Sequence, residues 1–482
     1  MNTAMLLTRC KPLCLRALLA STALAVTPQM AHAQAWDGSE GSDWKVAGNW
    51  SGGVVPTAAG QVIIDTAANN PVQLSSGTET VSTLIVGQTG VASLTVSNGA
   101  QLAVTNTSAT TFSPVFTLTV GGAGTNGGTA QRLAGTANGT LTVTGAGSRV
   151  TTPVLYLGQG ANTTTGSKAR GTAVVDNGAT LVTSVLASLG YVGPGSGGGT
   201  LTVTGPGTVW VATGSVAVLG DNSQITISNG AAVRRSGTTS WDIRQPAGVR
   251  ITGAGTTADL GSVNIASGDA TRAGLLIENG AVVNALAVNS ASSTNLGPDS
   301  GAIGISGGST LNASSILLGF STSKGHVSVV DSTLNLTGAL RIGDGRFTTV
   351  ASTTLLKNAN LSAGAIDLAD GILAIGGFRG DAAGGAGTLT AATLNIASDT
   401  DVTSELVLNH TGNDFTIASL ISGSGIIRHI AGDTILSGNS NFFAGSTLVT
   451  GGTLSVNGAL GGVTHSMTLS GGAALGGSGR IG

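Results

Sequence analysis

The chain has little of several things that most folded proteins rely on. Only two cysteines occur in 482 residues, Cys10 and Cys14, and both lie at the extreme N-terminus. Disulfides therefore cannot hold the rest of the chain together. Charged residues make up 9 %, where about 25 % is usual. Aromatic residues are 3 % and prolines number ten. Glycine is abundant, with 78 residues, but it follows no strict every-third-residue period, which excludes collagen. An apolar content of 41 % excludes a solvated disordered tail, which would be charged and poorly hydrophobic. Beyond the N-terminus no apolar run approaches the roughly 18 residues of a transmembrane helix. What remains is a chain of many short strands joined by glycine turns.

Residues 1–33 read as an export signal. Arg9, Lys11 and Arg16 precede an apolar run from Ala17 to Val26, and Ala31-His32-Ala33 gives a small-x-small cleavage pattern. A mature chain beginning at Gln34 would carry 20 − 3 = 17 Lys+Arg against 22 Asp+Glu. That weakly acidic balance, without basic clusters, argues against a nucleic-acid partner, for which phosphate neutralisation dominates affinity.

One unit recurs through the middle of the chain. LTVSNGAQL (94–102), LTVTGAGSRV (141–150), AVVDNGATL (173–181), LTVTGPGTVW (201–210), ITISNGAAV (225–233), VRITGAGTTA (249–258), LLIENGAVV (275–283) and IGISGGSTL (303–311) are followed by VSVVDSTL (327–334) and TTLLKNANL (353–361). Most starts lie 24–32 residues apart, and the single step of 47 is read as two units with a blurred copy near 117–124. A second half-motif stands upstream of most copies, as in TLIVGQTG (83–90) and VAVLGDNS (216–223). Side chains alternate with period two inside each strand, as in Leu94 and Val96 against Thr95 and Ser97. Asn98-Gly99, Asn177-Gly178, Asn229-Gly230 and Asn279-Gly280 mark a recurrent corner, since both residue types tolerate φ > 0.

Asn-Gly between apolar alternations also signals antiparallel hairpins, so a β-sandwich is the competing architecture. A period near 24 split into three short strands fits better one coil of a three-sided, all-β parallel β-helix. A single coil cannot bury its inward face, whereas stacked coils share a core. About fifteen coils at about 4.8 Å each would give a rod on the order of 70 Å long. A narrow bore filled by Val, Leu, Ile and Ala accounts for the scarcity of rings. The expected divisions are a cap over 34–75, β-helix repeats over 76–375, a glycine-rich loop and transition over 376–400, and a last block over 401–482. Trp36, Trp44 and Trp50 cluster at the expected mature start and read as the terminal plug that a solenoid needs. The alternative for them is an aromatic platform for sugar.

The export signal, the W…W…NW…G…P opening and the L-x-V-G…L-T-V-x-N-G-A repeats resemble bacterial autotransporter passenger domains. The segments 432–462 and 467–482 are similar to the passenger-associated β-strand repeat of that family. The resemblance implies a right-handed parallel β-helix exported to the periplasm and passed through an outer-membrane translocator barrel, which is absent from this chain. The sequence ends at Arg480-Ile481-Gly482 within the repeat pattern, so we expect a passenger truncated before its barrel or one that uses a separate pore. Cell surface, outer membrane or secretion is the expected location, and the periplasm if the barrel is truly missing. A host-cell receptor or self-association would supply the partner. Some passengers of the family use an Arg-Gly-Asp tripeptide on host cells. Arg379, Gly380 and Asp381 form one here, within the glycine-rich run 376–387, where an exposed tip is expected.

Catalytic chemistry is hard to find. Gly304-Ile305-Ser306-Gly307-Gly308 fits G-x-S-x-G formally, but no helix is expected after it. Gly122-x-Gly124-x-x-Gly127 and Gly193-x-Gly195-x-x-Gly198 lack a βαβ context. The histidines His326, His410, His429 and His465 stand singly along the chain, so no metal is expected. Asp367 with Asp370, and Asp399 with Asp401, read as solvated turn residues, and Gly343-Asp344-Gly345 is an isolated echo of calcium-binding repeats. We expect no catalytic residue, cofactor or metal. The leading expectation is a non-enzymatic surface stalk or adhesin, with a secreted β-helical polysaccharide lyase or hydrolase, or a non-functional periplasmic fragment, as alternatives.

Overall fold

The computed structural model describes residues 33–482 except 66–69, 107–116, 123–136, 160–168, 191–196, 221, 238, 245–246, 267–273, 291–300, 320–323, 344–351 and 399–402. The export signal lies outside the described residues, as do Gly124, Gly127, Gly193, Gly195, Asp344, Gly345, Asp399 and Asp401. Among the described residues every pairing between strands is parallel and joins a strand to one a coil away, and the isolated bridge between Trp36 and Trp50 in the N-terminal segment is antiparallel. This is a parallel β-helix, all-β apart from one 3₁₀ turn at Ala47–Asn49 among the described residues.

Three faces run along the axis. The first is a single sheet of 16 strands, from Val72–Leu74 to Ser466–Leu469, and its strands number the coils 1 to 16. The second runs from Thr78–Val81 to Ala474–Gly476 and the third from Gln34–Ala35 to Arg480–Ile481. Strands Arg149–Gln159, Thr180–Leu189, Ala359–Ala369 and Gly387–Ala397 bend round the corner between those two faces and join them.

The register stacks like on like. Val143, Val175, Val203, Ile227, Ile251, Ile277, Ile305 and Val329 form one unbroken inward column on the first face. All eight are essentially fully buried. Each gains burial only because the next coil covers it, so the apolar driving force, on the order of 2 kcal/mol per side chain, exists for the stack and not for a lone coil. Outward positions stack as well. Asn312 Nδ2 donates to Asn284 Oδ1 at 2.9 Å, and Asn335 Nδ2 donates to Asn312 Oδ1 at 2.9 Å. That ladder starts on Asp259, which accepts from Asn284 at 2.7 Å.

The corner after the first face shows that the true repeat is two coils long. Coils 2, 4, 6 and 8 turn through Asn-Gly, with Asn98, Asn177, Asn229 and Asn279 at φ 52–57°. Coils 3, 5, 7 and 9 turn through paired glycines, 145/147, 205/207, 253/255 and 307/308. The two kinds interlock. Gly178 N–H donates to Thr208 Oγ1 in the coil above (2.9 Å), while Asn177 Nδ2 donates to Thr144 Oγ1 in the coil below (3.1 Å). Gly230 and Asn229 do the same with Thr256 and Thr204, at 3.0 Å each. The corner after the third face carries its own glycine. A Cβ at Gly158 (φ +69°), at the end of coil 3, would overlap the carbonyl oxygen of Gly198 where coil 5 begins.

Three expectations are corrected. The 47-residue step is one coil and not two, since Leu94 pairs directly with Leu141. The supposed blurred copy, Leu118–Gly122, is the third-face strand of coil 2, and the extra length is inserted between faces. The bore also admits rings. Trp210 and Trp241 lie inside it one coil apart, with centroids 5.4 Å apart, and Trp210 Nε1 donates to Thr183 Oγ1 at 3.1 Å. Their offset along the axis lets two large side chains share a cross-section that one coil could not give them. Finally, regular coiling extends past the expected divisions. Gln61–Ile64 already pairs with Thr83–Val86, and Gly387–Ala397 is a full-length strand of the stack.

The N-terminal cap is an irregular coil below coil 1. Gln34–Ala35 pairs with Gln61–Ile64, and Asp43 bridges Gln73. The open strand edges of the first coil are thereby covered. Trp36, Trp44 and Trp50 pack edge to face with centroids 4.9 and 4.8 Å apart, and none is more than 4 % exposed. Trp50 Nε1 donates to Trp44 O (2.6 Å) and Trp36 Nε1 to Asn70 O (3.1 Å). Buried Asn49 ties the segment together, accepting from Glu40 N–H and donating to Asp43 O. Rings held this way form a plug, and the sugar-platform reading fails because no ring face reaches solvent.

Candidate functional site

The Arg-Gly-Asp turn belongs to a loop, 376–386, that leaves coil 12 and lies against the outer side of the first face. The outward residues Ala374, Glu405 and Val407 are fully buried there, whereas outward positions of the earlier coils, such as Thr142 and Thr202, stay partly exposed. Arg379 to Asp381 are exposed, as expected of a tip, and both charged side chains also make contacts with the rest of the loop and stack. Arg379 Nη2 donates to Glu405 Oε2, and Arg428 Nε donates to Glu405 Oε1. Glu405 is 0 % exposed, so one buried carboxylate is neutralised by two guanidinium groups. Burying that carboxylate alone would be prohibitive, and two charge-assisted partners make it tolerable. Asp381 accepts the Phe378 N–H at 2.9 Å, which closes the turn on itself. Asn409 Nδ2 then donates to the carbonyls of both Phe378 and Asp381, at 3.0 Å each. Gly380, at φ +86° with nothing near its Cα hydrogens, provides the left-handed turn residue.

The tip is therefore exposed, and one of its two charges is also paired: Arg379 contacts Glu405 while its side chain stays 55 % exposed. The resulting clasp fastens the loop to the stack.

A second cluster lies just inside. His429 occupies a rung of an inward column, with Leu408 below and Val449 above. Thr434 sits inward on the second face between Phe415 and Leu454. His410, at the corner after strand Glu405–Asn409, completes the group, and all three side chains are 0 % exposed. The hydrogen bonds fix both tautomers. Gly412 N–H donates to His410 Nδ1 at 3.1 Å, so the His410 proton is on Nε2, which donates to Thr434 Oγ1 at 2.8 Å. His429 Nδ1 faces the Gly451 carbonyl at 2.8 Å and must donate to it. Its Nε2 is therefore an acceptor, 3.2 Å from Thr434 Oγ1. The threonine hydroxyl receives from one ring and gives to the other, so a single directed chain of bonds links coils 13, 14 and 15. Burial drives the His410 pKa down to about 4, with the neighbouring His429 adding to the shift. Burial also lowers that of His429, while Asp433 opposes both shifts.

Sequence reading left these histidines single because 19 residues separate them. A coil period near 20 at this end, as between Ser446 and Ser466 in register, is the signal that would have brought them together. Among the described residues no three His, Cys, Asp or Glu side chains lie close enough to hold a metal ion. Gly304-Ile305-Ser306 is a strand followed by a glycine turn and then strand Thr310–Ala313, so the nucleophile elbow is not formed. Asp367 lies on the third face, accepting from Asn395 Nδ2 at 2.9 Å with Arg341 3.7 Å away. Asp370 is a buried corner residue at φ +73°, so the two do not make a carboxylate pair open to solvent. An open groove of about 620 Å³ beside the loop is lined by Asn358, Thr388, Thr411, Asn413, Asp414 and Phe415, with one charged side chain in it.

No curated protein and no solved structure matches this chain. A family described as a domain of unknown function (DUF8693) matches residues 35–123, which hold the tryptophan cap and the first two coils.

Proposed function

We propose that this chain is an exported, non-enzymatic β-helical stalk of the autotransporter passenger type, which acts as a rigid spacer at the cell surface. The observation that carries the reading is the unbroken stack itself. Sixteen coils continue in register from a tryptophan plug to the last strand, and each loop that interrupts them leaves the columns in line. At about 4.8 Å per coil the described stack is on the order of 75 Å long. Its outer faces carry Thr, Ser and Asn ladders, which keep a cysteine-free rod soluble without charge.

The turn at Arg379 to Asp381 serves as a clasp in this reading, so adhesion through it is not part of the proposal. A polysaccharide lyase or hydrolase would need acidic and basic side chains converging in an open groove. Among the described residues the buried carboxylate with basic partners, Glu405, is instead occupied by Arg379 and Arg428. Cells expressing the full chain with an epitope tag after the signal, treated with an external protease, test the proposal. Surface or released antigen is expected, and antigen found solely in the cytoplasm would refute it.

A further inference from the structure

The chain of bonds through His410, Thr434 and His429 exists only while both rings are neutral. A proton added to His410 Nδ1 meets the Gly412 N–H that now donates to it. A proton added to His429 Nε2 meets the Thr434 hydroxyl, whose own hydrogen points there because its oxygen is already taken by His410. Either event sets donor against donor among side chains that are fully buried. The titratable groups that bear on the pair are each ring on the other and Asp433, the residue before Thr434. Glu405 lies on the outward side of the same strand, held by Arg379 and Arg428. His465 is one coil further on, bonded to Thr447 at 3.0 Å.

The corner that carries His410 has a second duty. Thr411 N–H donates to Gly384 O at 2.8 Å, His410 bridges Gly384, and Asn409 holds the Arg-Gly-Asp turn. One short segment, 409–412, thus fastens the bore relay on its inner side and the 376–386 loop on its outer side. We infer that the His410–Thr434–His429 relay is an acid-sensitive latch, whose protonation opens the corner at 409–412, loosens coils 13 to 15 and releases the Arg-Gly-Asp loop from Asn409. Coils 1 to 9 carry no histidine and stay closed.

Hydrogen exchange of the full chain at about pH 7 and about pH 4.5, corrected for intrinsic rates, tests this. Segments 376–386, 405–412 and 426–451 should lose protection by at least about tenfold at the lower pH, with coils 3 to 9 unchanged. In His410→Gln, which cannot be protonated at that site, the difference should fall sharply. Equal protection at both pH values, or uniform loss along the whole rod, overturns the latch. Acid loosening that persists unchanged when His410 and His429 are both replaced by Gln also overturns it. Should that variant not fold, ring-nitrogen NMR of the unaltered protein decides. His410 must be the Nε2–H tautomer and His429 the Nδ1–H tautomer, both neutral at about pH 6. The opposite tautomers, or ordinary titration near pH 6.5 without loss of protection, refute the inference.

Discussion

Arg379, the first residue of the Arg-Gly-Asp turn, places its guanidinium on the fully buried carboxylate of Glu405. This one contact separates the loop as a fastening from the loop as a ligand. Arg379→Ala should leave attachment to integrin-bearing cells unchanged while lowering stability by about 1–2 kcal/mol, since Arg428 still pairs the carboxylate. Glu405→Ala should cost more, about 3 kcal/mol, because it leaves Arg428 without its partner in a largely covered site. Denaturant titration beside a cell-attachment assay checks both. Loss of attachment with unaltered stability in Arg379→Ala would reverse the assignment.

The interlocked corners predict a graded series. Thr208→Ala removes the acceptor of the Gly178 N–H, and Thr256→Ala removes that of Gly230. Each should cost about 1 kcal/mol, visible as a lower urea midpoint with the slope unchanged.

Glycine substitutions should divide according to what stands above them. Gly158→Ala puts a methyl into the Gly198 carbonyl at φ +69° and should cost more than about 3 kcal/mol, enough to displace the coil. Gly472→Ala shares the positive φ but meets nothing within 4 Å, so about 1 kcal/mol is expected. Comparing their thermal midpoints separates contact from backbone strain.

Removing the plug should expose the first coil. Trp44→Ala empties a fully buried site between Trp50 and the strands above. It should cost about 3–5 kcal/mol, and the uncovered edges should promote association. Light scattering of this variant against the parent protein measures that.

Acid should weaken the protein in a defined window. The His410 pKa is lowered to about 4 in the folded chain and is about 6.5 unfolded. Between those values the unfolded state binds a proton that the folded state does not, so stability rises with pH there and falls on acidification. The contribution is complete above about pH 6.5 and lost by about pH 4, on the order of 3 kcal/mol. His429, shifted in the same direction, adds to it. Urea midpoints measured across this range should fall with pH in the parent and fall less in His410→Gln.

Much of this architecture is legible in the residues themselves, because stacking makes local pattern and global contact the same thing. Leu94 and Val96 alternate with Thr95, and the structure lays Leu141 and Val143 directly above them. What sequence reading missed depends on loop length and on contacts between coils. Residues inserted between faces lengthened one step to 47 without adding a coil. The alternation of Asn-Gly with paired glycines was present in the repeats, but its meaning lies in hydrogen bonds to the coils on either side, as Asn177 shows with Thr144 and Thr208. Arg379 with Glu405, and His410 with His429, are 26 and 19 residues apart. Such pairs meet only when the coil period of their own region is known.

The stacking itself can be measured with pairs of spin labels, since Cys10 and Cys14 are the only native thiols and both precede Gln34. Thr142, Thr202, Thr226, Arg250 and Ser328 lie on one outward column, in coils 3, 5, 6, 7 and 10. With one label at position 142, partners at 226, 250 and 328 should give distances near 14, 19 and 34 Å, about 4.8 Å for each coil crossed. Distances that do not grow linearly with coil number, or a 142–328 pair as close as 142–226, would contradict the parallel rod.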